Sequence, residues 1–271
     1  MKLEDILLIS DMDGTLLPSG GKLSETCKAE IAAFRELGGN FTLATGRSPM
    51  GVLPYLEELK LDGFVIVNNG AGIYDIGTKE MTWCQHLPPH FRGIVADIAV
   101  KFPRVALEVL DESDRHYEIT MNPIQAKYVK QRGFPANRSS VAELPEGCCK
   151  VLMAIDPMEY EETTAAILAA GYDGVEFARS GGNCFEMMAG GISKGYPLER
   201  LAGLYGKSLR NVVAVGDYYN DIEMLRKAGF SAAMETAPEC VREAADRIVP
   251  SCEEDGVAEL IRYVIQNHGT L

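Results

Sequence analysis

The feature that most constrains the fold is a set of short apolar runs, each of which stops abruptly at a polar residue or a glycine. The runs occupy residues 6–9, 41–44, 64–67 and 212–215. Uninterrupted runs of this length are typical of strands that are buried on both faces of a sheet. Helix-periodic stretches separate the first three runs, so we predict an α/β fold with a Rossmann-like, doubly wound parallel sheet.

The middle of the chain has a different pattern. Between residues 83 and 187, strand-like stretches follow one another closely, with helix-periodic segments near residues 91–102 and 157–170. This order favours a mostly antiparallel sheet with helices on one face. We therefore predict an inserted α/β cap domain at 83–187 and a discontinuous core domain formed by 1–82 and 188–271.

Composition excludes several classes of protein. The chain has 271 residues and a net charge of −13 without a basic tract, which argues against binding to nucleic acid or to anionic membranes. No apolar run approaches the roughly 18 residues that a membrane-spanning helix needs. The seven cysteines include no C-x-x-C pair, so we expect reduced thiols in a cytoplasmic protein. From the charge and the short apolar runs, we expect that it binds neither nucleic acid nor membrane.

Polar side chains follow the ends of the predicted core strands. In parallel α/β sheets, ligands bind beyond the carboxyl ends of the strands, where the residues that follow each strand meet. The residues in these places, together with one lysine that is predicted to open a later helix, are Asp11, Asp13, Thr45, Gly46, Lys194, Asp217, Asn220 and Asp221. We predict that they line one rim of the sheet.

Electrostatics indicates that this rim needs a proton or a cation. Two carboxylates about 4 Å apart repel by roughly 4 kcal/mol at an effective dielectric constant of about 20, and Asp11, Asp13 and Asp217 would form several such pairs. Hard oxygen ligands beside a possible phosphate favour magnesium (Mg²⁺). An EF-hand calcium loop is excluded, because its required glycine and glutamate positions, counted from Asp11, hold Leu16 and Lys22.

Four of the rim residues also have a structural explanation when they are taken singly. Thr45 fits a turn residue, and Lys194 fits a solvated lysine. Asn220 fits an N-cap of the helix after it, and Asp221 fits an acid of that helix's first turn. The prediction of a site therefore depends on the whole set in this order, with each member at the end of a strand or helix.

Four motifs stand in a characteristic order. Residues 11–16 read D-M-D-G-T-L, residues 45–47 read T-G-R, residues 193–195 read S-K-G and residues 216–221 read G-D-Y-Y-N-D. Over essentially the whole chain, the sequence resembles the haloacid dehalogenase superfamily, and within it the Cof-type phosphatases with a large α/β cap. Residues 68–71, N-N-G-A, also resemble that subgroup's third-strand signature. The pair Glu235-Thr236 departs from the resemblance, because relatives typically carry Gly-Asn there.

The resemblance implies a role for each rim residue. Asp11 would be the nucleophile that forms an aspartyl-phosphate, and Asp13 would be the general acid and base. Mg²⁺ would be held by Asp11, by the backbone carbonyl of Asp13 and by Asp217, with Asp221 in or near this set. The phosphate would be bound by Thr45, Gly46, Lys194 and Asn220.

The resemblance also implies an activity and a substrate class. The expected reaction is Mg²⁺-dependent hydrolysis of a small phosphorylated metabolite, such as a sugar phosphate or a phosphorylated cofactor. The inserted domain would be a lid that selects the leaving group, with Arg179 and Asn183 as candidate selectors. A phosphomutase of the same superfamily, or a phosphometabolite-binding regulator without turnover, are the alternatives that the sequence leaves open.

Overall fold

The computed structural model describes residues 2–134, 136–180 and 183–269. The chain folds as two compact units. Unit 1 comprises Met1–Thr82 and Ser193–Leu271, and unit 2 comprises Trp83–Ile192. The chain therefore leaves unit 1 once, forms unit 2, and returns to complete unit 1.

The strands and helices alternate through much of unit 1 and cluster in unit 2. In chain order the strands are β1 (Leu7–Ser10), β2 (Asn40–Leu43), β3 (Phe64–Val67), β4 (Gly72–Asp75), β5 (Glu80–Cys84), β6 (Ala106–Asp111), β7 (His116–Thr120), β8 (Asn137–Arg138), β9 (Cys148–Ala154), β10 (Val175–Arg179), β11 (Cys184–Ala189), β12 (Val212–Gly216), β13 (Phe230–Met234) and β14 (Arg247–Val249). The helices are α1 (Glu25–Glu36), α2 (Pro49–Glu58), α3 (Phe91–Lys101), α4 (Pro123–Arg132), α5 (Tyr160–Ala169), α6 (Leu198–Leu204), α7 (Ile222–Lys227), α8 (Glu239–Arg242) and α9 (Gly256–Asn267).

The main sheet of unit 1 is parallel throughout, with the strand order β14-β13-β12-β1-β2. Every residue of β1 is buried, as its unbroken apolar run predicted. The strand lies between β12 and β2, where Leu7 pairs with Val212 on one side and with Asn40 on the other. The predicted Rossmann-like parallel sheet is confirmed.

The third predicted strand, β3, differs from the expectation of simple parallel pairing. It lies beside β2 through a single parallel bridge, Ala44 to Ile66, and it pairs antiparallel with β4 along its length. Strand β5 extends this second sheet across the boundary that the sequence predicted after residue 82. The prediction missed β4 and β5, because only the buried runs were treated as strands.

Helix α1 of unit 1 begins at a serine N-cap. Ser24 caps α1, since its Oγ accepts the Cys27 N–H at 2.9 Å. Helix α1 packs against α9, the C-terminal helix. No helix among the described residues is long and apolar enough to cross a membrane.

Unit 2 forms its own sheet, with the strand order β10-β11-β9-β6-β7-β8. Its strand pairs are antiparallel except for β7 with β8. Apolar side chains of α3, α5 and the sheet form the core, among them Phe91, Val95, Val109, Val151 and Met187. The boundary predicted at residue 187 lies inside β11, which pairs with β9 and β10, so the chain returns to unit 1 five residues later, after Ile192.

Candidate active site

Asp11 lies directly beyond the carboxyl end of β1, and its backbone continues the strand's pairing. Its N–H donates to the Val215 carbonyl oxygen at 2.8 Å, which links it to the end of β12. Its side chain is buried. Because β1 and β12 are parallel neighbours, Asp11 and the residues that follow β12 meet at one edge of the sheet.

Three carboxylates come together at this edge. One oxygen from each of Asp11, Asp217 and Asp221 lies within 4.8 Å of the other two. The buried Lys194 ammonium donates to Asp11 Oδ1 and, at 2.7 Å, to Asp221 Oδ1. With three acids and one lysine ionised, this group has a formal charge of −2.

The orientations of Asp217 and Asp221 are fixed by hydrogen bonds. Thr15 Oγ1 donates to Asp217 Oδ1 at 2.7 Å. Asp221 Oδ2 accepts the N–H groups of Asp217 and Tyr218, both at 3.0 Å. Asp221 is fully buried, so its carboxylate organises the loop as well as carrying charge.

Burial and mutual repulsion perturb the ionisation of this group. The pKa of Asp11 is raised well above its usual value, because burial outweighs the Lys194 ammonium and because Asp221 and Asp217 add repulsion. Burial and Asp221 also raise the pKa of Asp217, against the hydrogen bond from Thr15. Burial alone would lower the pKa of Lys194, but Asp11 and Asp221 raise it, so the lysine stays charged.

The Asp13 carboxylate points to a different partner. Arg47 Nε donates to Asp13 Oδ2 at 2.9 Å, and Arg47 Nη2 donates to Asp13 Oδ1 at 2.6 Å. The side chain of Asp13 is more than half exposed. The structure therefore brings the side chains of Asp11, Asp217 and Asp221 together. The Asp13 side chain is held instead by Arg47, in the neighbouring loop.

The remaining predicted residues meet around Asn69. Asn220 Nδ2 donates to Asn69 Oδ1 at 2.9 Å, and the Asn69 N–H donates to the Thr45 carbonyl oxygen at 3.0 Å. A β-carbon on Gly46 would lie 3.1 Å from the Asn69 amide, so Gly46 permits this close approach. Thr45 Oγ1 accepts the Arg47 N–H at 3.0 Å, and its hydroxyl keeps a hydrogen to donate.

Comparison with known proteins identifies the family. A family model described as haloacid dehalogenase-like hydrolase matches residues 8–261. The chain belongs to the haloacid dehalogenase-like hydrolases. The resemblance predicted from the four motifs is thereby confirmed.

Named relatives and solved structures match nearly the whole chain of this hydrolase. A 5-amino-6-(5-phospho-D-ribitylamino)uracil phosphatase of Bacillus subtilis is 29% identical over 265 residues, which cover 96% of each chain. A pyridoxal phosphate phosphatase of Escherichia coli is 27% identical, with 93% of this chain and 95% of the relative covered. A haloacid dehalogenase-like hydrolase from Bacteroides thetaiotaomicron has a TM-score of 0.83 at 26% identity, with 96% and 99% covered. This haloacid dehalogenase-like hydrolase is a phosphatase.

Three residues of the hydrolase's rim had no role in the sequence prediction. Thr15 orients Asp217, Arg47 holds Asp13, and Asn69 holds Asn220. All three lie inside motifs that the sequence displayed. Their position beside predicted site residues was the available signal, but the partner of each side chain depends on contacts that spacing does not reveal.

Some local expectations were wrong. Lys194 does not open a helix: Ser193 Oγ accepts the Gly195 N–H at 3.1 Å in a turn, and α6 begins only after Pro197. Asn220 is not the N-cap of α7, since Asp221 stands at that position. Asn220 lies one residue earlier, in a short 3-10 turn.

Three further positions named in the sequence analysis have local partners. Arg179, a candidate selector in unit 2, makes two hydrogen bonds to Glu161 at 2.8 and 2.6 Å. The Asn183 carbonyl oxygen accepts the Ile155 N–H, and the two residues before Asn183 lie outside the described part of the chain. In the loop that departs from the family pattern, Glu235 Oε1 accepts the Ser251 N–H at 3.2 Å.

The donor set at the rim fits a hard divalent cation. Asp11, Asp217 and Asp221 supply carboxylate oxygens, which are the ligands that Mg²⁺ prefers. A charge of +2 would also balance the formal charge of −2 that these acids and Lys194 carry together.

Proposed function

We propose that this phosphatase hydrolyses monoesters of small phosphorylated metabolites through an aspartyl-phosphate on Asp11, with Mg²⁺ as its cofactor. The observation that carries the proposal is the group of Asp11, Asp217 and Asp221, in which the buried Asp11 and Asp221 share the Lys194 ammonium. Sugar phosphates and phosphorylated cofactors form the substrate class. Two bacterial relatives are named as phosphatases of 5-amino-6-(5-phospho-D-ribitylamino)uracil and of pyridoxal phosphate, and these names support a small phosphorylated metabolite as the substrate.

Asp11 fits the nucleophile because one of its oxygens is already held. Lys194 donates to Asp11 Oδ1, so this contact fixes the rotamer and leaves Oδ2 as the candidate attacking atom. Lys194 is buried and charged, and it also neutralises charge that develops on the phosphoryl group.

Mg²⁺ would be held by Asp11, Asp217 and the Asp13 backbone carbonyl, with Asp221 supporting the set. When bound, the ion supplies positive charge that offsets repulsion between the phosphate and the nucleophile. Thr15 and the loop N–H groups on Asp221 keep these carboxylates in place. They thereby reduce the reorganisation that metal and substrate binding require.

Thr45, the Gly46 N–H and Asn220 form the proposed phosphate-binding set. Asn69 holds the Asn220 amide through one hydrogen bond, and an amide nitrogen carries a second hydrogen for a phosphate oxygen. Asp13 is the proposed general acid for the leaving oxygen and general base for the attacking water. Unit 2 is the proposed source of selectivity for the leaving group.

The test is a screen of phosphorylated metabolites with wild type and Asp11→Asn, with and without Mg²⁺. We expect release of inorganic phosphate by wild type with Mg²⁺, and a loss of at least about 10³-fold in Asp11→Asn because the nucleophile is removed. Unchanged turnover in Asp11→Asn would overturn the proposal. An isomeric sugar phosphate in place of free phosphate would identify a phosphomutase, and tight binding without any product would identify a regulator.

A further inference from the structure

Arg47 is fixed at several points of unit 1. Its guanidinium donates a hydrogen bond to each oxygen of Asp13. Its Nη1 also donates to the Gly51 carbonyl oxygen at 3.4 Å, and its Cζ lies 4.8 Å from the centre of the Tyr55 ring. Its backbone N–H donates to Thr45 Oγ1. The guanidinium is therefore located independently of Asp13, and it presents a rigid two-pronged donor to that carboxylate.

This ion pair has little value as a stabilising contact. The Asp13 side chain is 56% exposed and that of Arg47 is 30% exposed. Ion pairs so accessible to water contribute only about 0–1 kcal/mol to folding. The two parallel hydrogen bonds instead determine the orientation of the Asp13 side chain, because they fix both its rotamer and the plane of its carboxylate.

We infer that Arg47 is a positioning residue for Asp13, which it holds in the orientation needed for proton transfer. The inference rests on the proposed function. In the hydrolytic step, the water oxygen bonds to phosphorus while the bond between phosphorus and the Asp11 oxygen breaks. The electron pair of that bond returns to the Asp11 carboxylate, the water proton passes to Asp13, and inorganic phosphate leaves.

The two chemical steps separate this role from phosphate binding. With 4-nitrophenyl phosphate the leaving phenolate is stable without a proton, so formation of the aspartyl-phosphate depends little on Asp13. Breakdown of the aspartyl-phosphate still requires the base. A residue that positions only Asp13 therefore affects the second step, whereas a residue that binds phosphate affects both steps.

The experiment measures phenolate release by stopped flow with Mg²⁺ for wild type, Arg47→Ala, Arg47→Lys and Asp13→Asn. We expect a rapid burst of one phenolate per enzyme in Arg47→Ala, then a steady rate at least about tenfold below wild type, with the 10²–10⁴-fold contribution of general base catalysis as the largest loss. Asp13→Asn should show the same pattern. Arg47→Lys should recover part of the steady rate, because one ammonium cannot hold both oxygens.

Arg35→Ala is the matched control, because Arg35 pairs with an aspartate, Asp62, elsewhere in unit 1 at 2.8 Å. It should leave both phases unchanged. Loss of the burst in both Arg47 variants, with a raised KM, would overturn the inference in favour of phosphate binding, and unchanged kinetics in both would overturn it outright. Absence of phenolate release by wild type would instead contradict the proposed function.

Discussion

Gly14 lies so close to Asp217 that a β-carbon on Gly14 would come within 2.5 Å of Asp217 Oδ2. Gly14 also has a φ of +91°, a conformation that residues with a side chain rarely adopt. The glycine of the D-M-D-G-T-L motif therefore keeps a carboxylate oxygen of the proposed metal site uncovered.

This contact predicts the effect of Gly14→Ala. The methyl group should displace Asp217, so activity and Mg²⁺ affinity should both fall, and the positive φ should cost about 1–3 kcal/mol of unfolding free energy. Urea unfolding and Mg²⁺-dependent turnover measure the two effects. Gly20→Ala is the control, because nothing lies within 4 Å of its β-carbon position. Equal behaviour of the two variants would contradict the prediction.

Lys194→Met should destabilise the protein in a pH-dependent way. The substitution leaves Asp11 and Asp221 buried without their shared cation, which costs about 3–5 kcal/mol. Without the lysine the already raised pKa of Asp11 should rise further, so the native state should bind more protons than the unfolded state. The loss should therefore shrink as pH falls from about 8 to about 5.5.

Urea unfolding across that pH range measures the Lys194 effect. Lys101→Met is the control, because its ion pair with Asp97 is exposed to solvent and should contribute little to stability. A loss in Lys194→Met that grows as the solution becomes more acidic would contradict the stated cause.

A buried ionic cluster in unit 2 should give a second pH dependence. Burial tends to raise the pKa of Glu108, but His116 and Arg132 lower it. Burial tends to lower the pKa of His116, but Asp114 and Glu108 raise it. The Glu108 contribution to stability is lost as pH falls below about 4, and the His116 contribution is lost as pH rises above about 6.5.

His116→Gln should therefore be most destabilising near pH 5–6 and less so above about pH 8. The measurement is the unfolding free energy of wild type and variant through a pH series. His86→Gln is the matched control, because His86 pairs with Glu112 at 2.7 Å in an exposed position. A pH-independent difference for His116→Gln would show that the ion pair is not its source.

Asn69→Ala should weaken phosphate binding, since it removes the oxygen that holds Asn220. Losing the hydrogen bond that orients the half-buried Asn220 amide should cost about 0.5–1.5 kcal/mol of binding, so the inhibition constant for inorganic phosphate should rise by roughly 2- to 13-fold. Product inhibition measures it. Asn220→Ala and the double variant complete a cycle, in which additive losses would show that the two residues act independently.

The parallel core and the convergence of the rim were predictable from the sequence for one reason. Strands such as β1 and β12 are buried on both faces, so their apolar runs are continuous, and parallel strands end at the same edge. Asp11, Asp217 and Asp221 therefore meet as their positions in the chain predict.

The parts that were missed depend on competition between local partners. Ser193 bonds the Gly195 N–H and holds Lys194 in a turn, although the same residues fit a helix start. Arg47 donates two hydrogen bonds to Asp13 because the fold brings their two loops side by side. Neither outcome leaves a periodic trace in the amino-acid sequence.

The position of β1 between β2 and β12 also determines when the enzyme can mature during translation. Leu7 is synthesised before unit 2, whereas its pairing partner Val212 is synthesised only after all of unit 2. Until then the nascent chain exposes an open strand edge next to Asp11, a surface that invites aggregation or a chaperone. A protein truncated before β12 should therefore be found with chaperones rather than as a smaller active phosphatase.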